Sequence, residues 1–132
     1  MSSVIDSTLW VDYFRAKTPL PIRERIEPWV YAPGAVLCNP IRFEILRAAR
    51  RNERAGIEEM FATLPILPDP DQLWEKSARL GQKCLDEGFV PPSGDLLIAT
   101  VCLEHEVELV TFDQDFVRIA EITELKVELL RR

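Results

Sequence analysis

Four carboxylates, set far apart along the chain, carry the chemistry this sequence could perform. Asp6 ends the apolar pair Val4-Ile5 and stands just before an amphipathic stretch. Glu44 lies three residues after Ile41 and four before Ala48, on or beside an apolar helical stripe. Asp95 opens the segment DLLIATVCLEHE, and Asp113 follows the strand-like segment 107–111 after one intervening residue. Singly, Asp6, Asp95 and Asp113 read as helix N-caps, a role worth ~1 kcal/mol each. Glu44 resists that explanation, and its ordinary role would be an ion pair with Arg47.

Convergence changes the reading. Carboxylates gathered within a few ångströms repel one another and are pushed to hold protons unless a cation sits among them. A divalent ion removes that cost. An all-oxygen donor set suits Mg²⁺ or Mn²⁺. Zinc is disfavoured, because His105 is the only histidine and Cys38, Cys84 and Cys102 are dispersed without a CxxC. Such an ion activates water, and hydrolysis of a phosphodiester is the natural use.

The elements must then bring the four acids to one place. Residues 2–5 read as a short buried strand, and Leu9, Trp10, Tyr13 and Phe14 at helical spacing predict a helix over 8–15. A proline-broken segment leads to a helix over 22–30, a turn at Pro33-Gly34 and a strand over 35–37. Pro40 suits the first turn of the next helix, which Ile41, Ile45, Ala48 and Ala49 continue. Helices over 53–64 and 71–87 flank a small strand at 66–67, and Asp95 is expected to start a central, well-covered helix. A strand over 107–111, a helix over 113–121 and a strand over 125–129 complete the series. Lys126 and Glu128 in that last strand suit a sheet edge. Alternation of strands and helices implies parallel pairing by right-handed crossovers, hence a three-layer α/β/α sandwich with a central parallel sheet. In such sheets ligands collect beyond the carboxyl ends of the strands, where all four acids can fall.

The 132 residues suit a single domain, 1–132, with an ordinary globular composition, 47% hydrophobic and 29% charged. No apolar run is long enough to cross a membrane and no secretory signal opens the chain, so a cytoplasmic protein is expected. The net charge of -6 speaks against nonspecific nucleic-acid binding through a basic surface. Arg42, Arg47, Arg50, Arg51 and Arg54 nevertheless form a local basic stretch, either a solvated helix face or a contact for phosphates.

The segments VIDSTLWVDYFR, CNPIRFEIL, PPSGDLLIAT and LVTFDQDFVRIA, in this order and spread over nearly the whole chain, resemble the PIN domain, and most closely the VapC toxins of prokaryotic toxin–antitoxin pairs. The resemblance implies a metal-dependent endoribonuclease whose acidic quartet is Asp6, Glu44, Asp95 and Asp113. Those four would be both the catalytic residues and the ligands of Mg²⁺ or Mn²⁺. Asp115 matches a second acid near the last of them, and Thr8 or Ser7 matches a hydroxyl beside the first. It further implies an RNA substrate, products with a 5′-phosphate and a 3′-hydroxyl, a homodimer and a cognate antitoxin lying along a groove. Arg15, Arg42 and Arg47, with Lys17, are the candidates for holding the RNA backbone.

Two other classes compete. A phosphoacceptor signalling domain shares the architecture but needs adjacent acids after its first strand and a lysine after a late one. Here one acid follows the first strand, and Lys126 lies within the edge strand. A non-catalytic module that binds metal and a protein partner would need the same acids, and only a cleavage assay separates it from a nuclease.

Overall fold

A computed structural model describes residues 1–132. Five short strands, β1 (Ser3–Ile5), β2 (Ala35–Cys38), β3 (Ile66–Leu67), β4 (Glu108–Thr111) and β5 (Val127–Leu129), form one sheet in the order β3-β2-β1-β4-β5. Every neighbouring pair is parallel, with Val4 opposite Val36 on one side and Leu109 on the other. Seven helices flank it: α1 (Ser7–Phe14), α2 (Leu20–Val30), α3 (Asn39–Ala48), α4 (Arg54–Phe61), α5 (Leu73–Asp86), α6 (Ser93–His105) and α7 (Asp115–Glu121). This is the expected three-layer α/β arrangement.

Burial explains the order of the strands. Parallel sheets are covered on both faces, so their central strands read as unbroken apolar runs. Every residue of β2 is buried, as are Val4 and Ile5 of β1 and Leu109, Val110 and Thr111 of β4. The two outer strands are shorter or more exposed, and Glu128 keeps β5 charged at its edge. Helix α6 is buried at five successive positions from Ile98 to Cys102, as befits a helix apolar on most sides. It is tied to α5 by the Ser77 hydroxyl, which donates to Thr100 Oγ1 at 2.9 Å.

Several boundaries differ from the sequence expectation. Helix α6 begins at Ser93, two residues before Asp95, because Pro92 ends the preceding segment and takes the N-cap position. Helix α7 begins at Asp115 rather than Asp113. Helix α2 starts at Leu20, with Pro21 in its first turn, where a missing N–H costs nothing. Strand β5 is confined to Val127–Leu129. No helix is long and apolar enough to cross a membrane.

The chain lays down β1, β2 and β3 outward in one direction, then crosses back to place β4 and β5 on the other side of β1. The reversal opens a crevice at the carboxyl ends of β1 and β4, where open α/β sheets bind ligands. Asp6 follows β1, and Asp113 lies two residues beyond the end of β4.

Candidate metal centre

Asp6 is the fixed point of the site. Its backbone N–H donates to Val110 O at 2.9 Å, so it is clamped against β4 as β1 ends. Its side chain belongs to a residue only 1% exposed, yet it makes no capping hydrogen bond to α1. Instead Oδ2 accepts from Thr8 Oγ1 at 2.8 Å and from Thr111 Oγ1 at 2.7 Å. Each hydroxyl is used twice: Phe112 N donates to Thr8 Oγ1 at 3.2 Å and Asp113 N to Thr111 Oγ1 at 2.9 Å. Oδ1 has only a long 3.4 Å contact from the Ser7 hydroxyl. One carboxylate oxygen is thus saturated and the other is left with a free lone pair. Burial pushes the Asp6 carboxyl above its usual range, offset in part by the Thr111 and Thr8 hydroxyls and the neighbouring amides.

The same bonds deliver Asp113. With its N–H held by Thr111, Asp113 turns its own Oδ1 to accept from Asp115 N at 2.9 Å. That turn delays the start of α7 by two residues and carries Asp115 back toward the crevice. Asp113 therefore keeps a local backbone-bonding role of the kind expected of a cap, whereas Asp6 does not. Nor does Asp95, which lies inside the first turn of α6.

Asp95 comes in from the N-terminus of α6. Carboxylate oxygens of Asp95, Asp113 and Asp115 all lie within 4.8 Å of one another. Burial raises the Asp95 pKa from its ordinary 3.8 to about 7, and the charges of Asp113, Asp6, Glu44 and Asp115 add to the shift. Asp6 and Glu44 fall outside the tight trio but close enough to act on it. The trio includes Asp115, assigned only a supporting place in the sequence, in addition to two of the quartet.

Glu44 enters from α3, half-buried. Its carboxylate lies against α6: Oε1 would stand 2.6 Å from a Cβ built on Gly94. Burial raises its pKa, the Ser7 hydroxyl opposes that, Asp6 raises it further and Arg47 lowers it. The ordinary alternative for Glu44, an ion pair with an arginine such as Arg47, does not form. The three ion pairs of the molecule, Arg42–Glu58, Lys76–Glu104 and Arg132–Asp12, all lie elsewhere.

No site acid is paired with a cation, and that is what makes the cluster fit a hard divalent ion. Three carboxylates at mutual ligand distance, with a fourth oxygen free on Asp6, supply oxygen donors only. The thiols are ill-suited: Cys38, Cys84 and Cys102 are free and buried, and burial pushes the Cys38 thiol up to about 12. His105 sits about 15 Å along α6 from Asp95 and contacts Pro68 O.

Of the three arginines, Arg47 lines an open cavity of about 410 Å³ together with Phe43, Glu44 and Asp95. Arg15 lines a larger one of about 570 Å³ with Lys17 and Arg50. Arg42 is committed instead to Glu58 at 3.5 Å. Thr111 was missed in the sequence. As a β-branched residue in a strand it looks like filler, although its place just before Phe112-Asp113 echoes Thr8 just after Asp6.

The PIN domain family model matches residues 3–122. Ribonuclease VapC21 of Mycobacterium tuberculosis is 30% identical over 122 residues, covering 87% of this chain and 86% of its own length. Ribonuclease VapC11 of the same organism is 31% identical over 134 aligned positions, covering 97% and 98%. In fold, the chain is similar to DNA-bound VapBC from Salmonella typhimurium (TM-score 0.78, 18% identity, 97% of each chain). It is similar as well to VapBC2 from Rickettsia felis bound to a promoter DNA fragment (TM-score 0.77, 18% identity, 98% and 99%).

Proposed function

Because the chain belongs to the PIN domain family, with VapC ribonucleases among its relatives, we propose that it is a metal-dependent endoribonuclease and the toxin of a toxin–antitoxin pair. The observation that carries the metal dependence is the cluster of Asp95, Asp113 and Asp115 beside Asp6 and Glu44, without one cation partner. Asp6, Glu44, Asp95 and Asp113, with Asp115, would hold one or two Mg²⁺ or Mn²⁺ ions. When bound, such an ion supplies a Lewis acid that acidifies water and neutralises charge on the phosphodiester.

The side chains have separate tasks. Thr8 and Thr111 hold the Asp6 carboxylate through Oδ2 and leave Oδ1 a lone pair to offer without reorganising, the condition for electrostatic catalysis. Glu44, whose carboxylate lies against the first turn of α6 beside Asp95, takes the proton from the attacking water. Water oxygen bonds to phosphorus in line with the leaving 3′-oxygen, the P–O3′ bond breaks, and the 3′-oxygen is protonated from solvent. The products are a 5′-phosphate and a 3′-hydroxyl. Arg47, beside Glu44 and Asp95, is placed to steady the strand at the cut, and Arg15 with Lys17 and Arg50 to hold the backbone farther out.

The antitoxin would lie in the groove where Val11 and Phe14 of α1 meet Ile45 and Ala48 of α3 and Ile57 of α4, a groove that Arg15, Glu44 and Glu53 also line. A basic side chain delivered there would neutralise the acids. The exposed Phe43, Trp74 and Val90 are available for a homodimer. A cytoplasmic location would keep the three free thiols reduced.

Purified chain incubated with single-stranded RNA and Mn²⁺ should give products with 5′-phosphate ends, and chelator should stop the reaction. Cleavage that persists in Asp6→Asn and Asp95→Asn proteins would mean a contaminating nuclease and would remove the assignment. A protein that binds Mn²⁺ but leaves RNA intact would be the non-catalytic module instead.

A further inference from the structure

Gly94 occupies the second position of α6, one residue before Asp95, where alanine is the better helix former. Its backbone does not require glycine, since the only glycine at positive φ is Gly88. Open space does not explain it either. A Cβ on Gly56 would meet nothing, whereas one on Gly94 would stand 2.6 Å from Glu44 Oε1 and 3.5 Å from Glu44 Cδ. The atom in the way is the end of a flexible side chain, fifty positions earlier in the sequence and belonging to another helix. A side chain at 94 would therefore leave the fold intact and move the carboxylate.

We propose that Gly94 is a positioning residue of the metal centre: its bare Cα is the seat that lets the Glu44 carboxylate of α3 lie against the first turn of α6, beside Asp95. The proposal rests on the metal-dependent reading above. Asp95 is rigidly part of α6, and the seat fixes the separation between it and Glu44 by contact. Without the seat, Glu44 must swing out into the cavity it shares with Phe43 and Arg47, where the guanidinium is free to capture it. A second-sphere constraint of this kind is typically worth 10–100-fold in metal affinity.

The test is Mn²⁺ binding to the whole chain, followed by titration calorimetry and by the EPR signal of free Mn²⁺. Gly94→Ala should bind Mn²⁺ about 10-fold or more weakly, while melting in chelator at or slightly above the parent temperature. In the Gly94→Ala background, Glu44→Asp withdraws the carboxylate by one methylene and should recover affinity, although Glu44→Asp alone lowers it. Parent-like affinity in Gly94→Ala, or strictly additive losses in the double variant, would overturn the proposal. Should Gly94→Ala fail to fold, Glu44→Ala added to it should restore folding; failure to do so would show that the clash lies elsewhere and refute the seat. A parent chain that binds no Mn²⁺ would instead defeat the metal-dependent reading itself, and this proposal with it.

Discussion

Two kinds of carboxylate meet at the carboxyl end of the sheet. Asp6 is almost completely buried, clamped to β4 and satisfied on one oxygen by two threonine hydroxyls. Asp95, Asp113 and Asp115 are partly or fully open to solvent, crowd within 4.8 Å and have no cation among them. The first is held by hydrogen bonds that any folded protein could use. The second is held against its own repulsion by the fold, since α6 and the turn before α7 fix the backbones that carry it. Structure has been spent on orientation at Asp6 and on charge density at the trio, and the two join through Thr111, which bonds Asp6 and the amide of Asp113 together.

The comparison predicts opposite responses to substitution. The largest effect belongs to the charged trio: Asp95→Asn should lower ribonuclease activity by on the order of 10²–10³-fold, measured as initial rate on a labelled oligonucleotide at saturating Mn²⁺. A rate within a few-fold of the parent would strip Asp95 of its role. Next comes the link. Thr111→Val keeps the strand but leaves the Asp113 amide unpaired and Asp6 with one donor fewer. Urea unfolding in chelator should show a loss of ~1–3 kcal/mol, with Mn²⁺ affinity falling 10–100-fold. Full affinity in that variant would mean that the threonine merely fills space.

Acidity gives the third test. Asp95 keeps its proton in the folded chain up to about pH 7, whereas the unfolded chain releases it near the ordinary 3.8. Between those values the folded state holds more protons, so stability in chelator falls as pH rises across the window. The raised carboxyls of Asp6 and Glu44 push in the same direction. Melting temperatures from pH 4 to 8 should therefore decline without metal and decline much less with Mn²⁺; a metal-free profile that rises with pH would contradict the repulsion. The smallest effect is the gain from relieving it. At pH 8 in chelator, Asp113→Asn should raise stability by no more than ~1 kcal/mol, because the group is solvent-screened, whereas Asp6→Ala, which orphans two hydroxyls, should lower it.

The sequence was informative where the physics is local. An unbroken apolar run marked β2, helical spacing marked α1 and α3, and the acids placed after strands pointed to one end of a parallel sheet. Boundaries failed where side chains compete with the backbone. The helix expected to start at Asp95 opens at Ser93 behind Pro92, and the Asx-type bond from Asp115 N to Asp113 postpones α7. Thr111 was illegible because a threonine in a strand is ordinarily there for its shape. The contact of Glu44 with Gly94 joins positions that no local pattern relates.

The central claim is that these acids are gathered tightly enough to demand a dication, and calorimetric titration of chelator-stripped protein with Mn²⁺ near pH 6.5 tests it most directly. Run in two buffers of different ionisation enthalpy, it should show Mn²⁺ binding coupled to release of a proton held in the cluster, with both binding and release sharply reduced in Asp95→Asn. No binding by the parent, or the same binding by the Asp95→Asn protein, would contradict it.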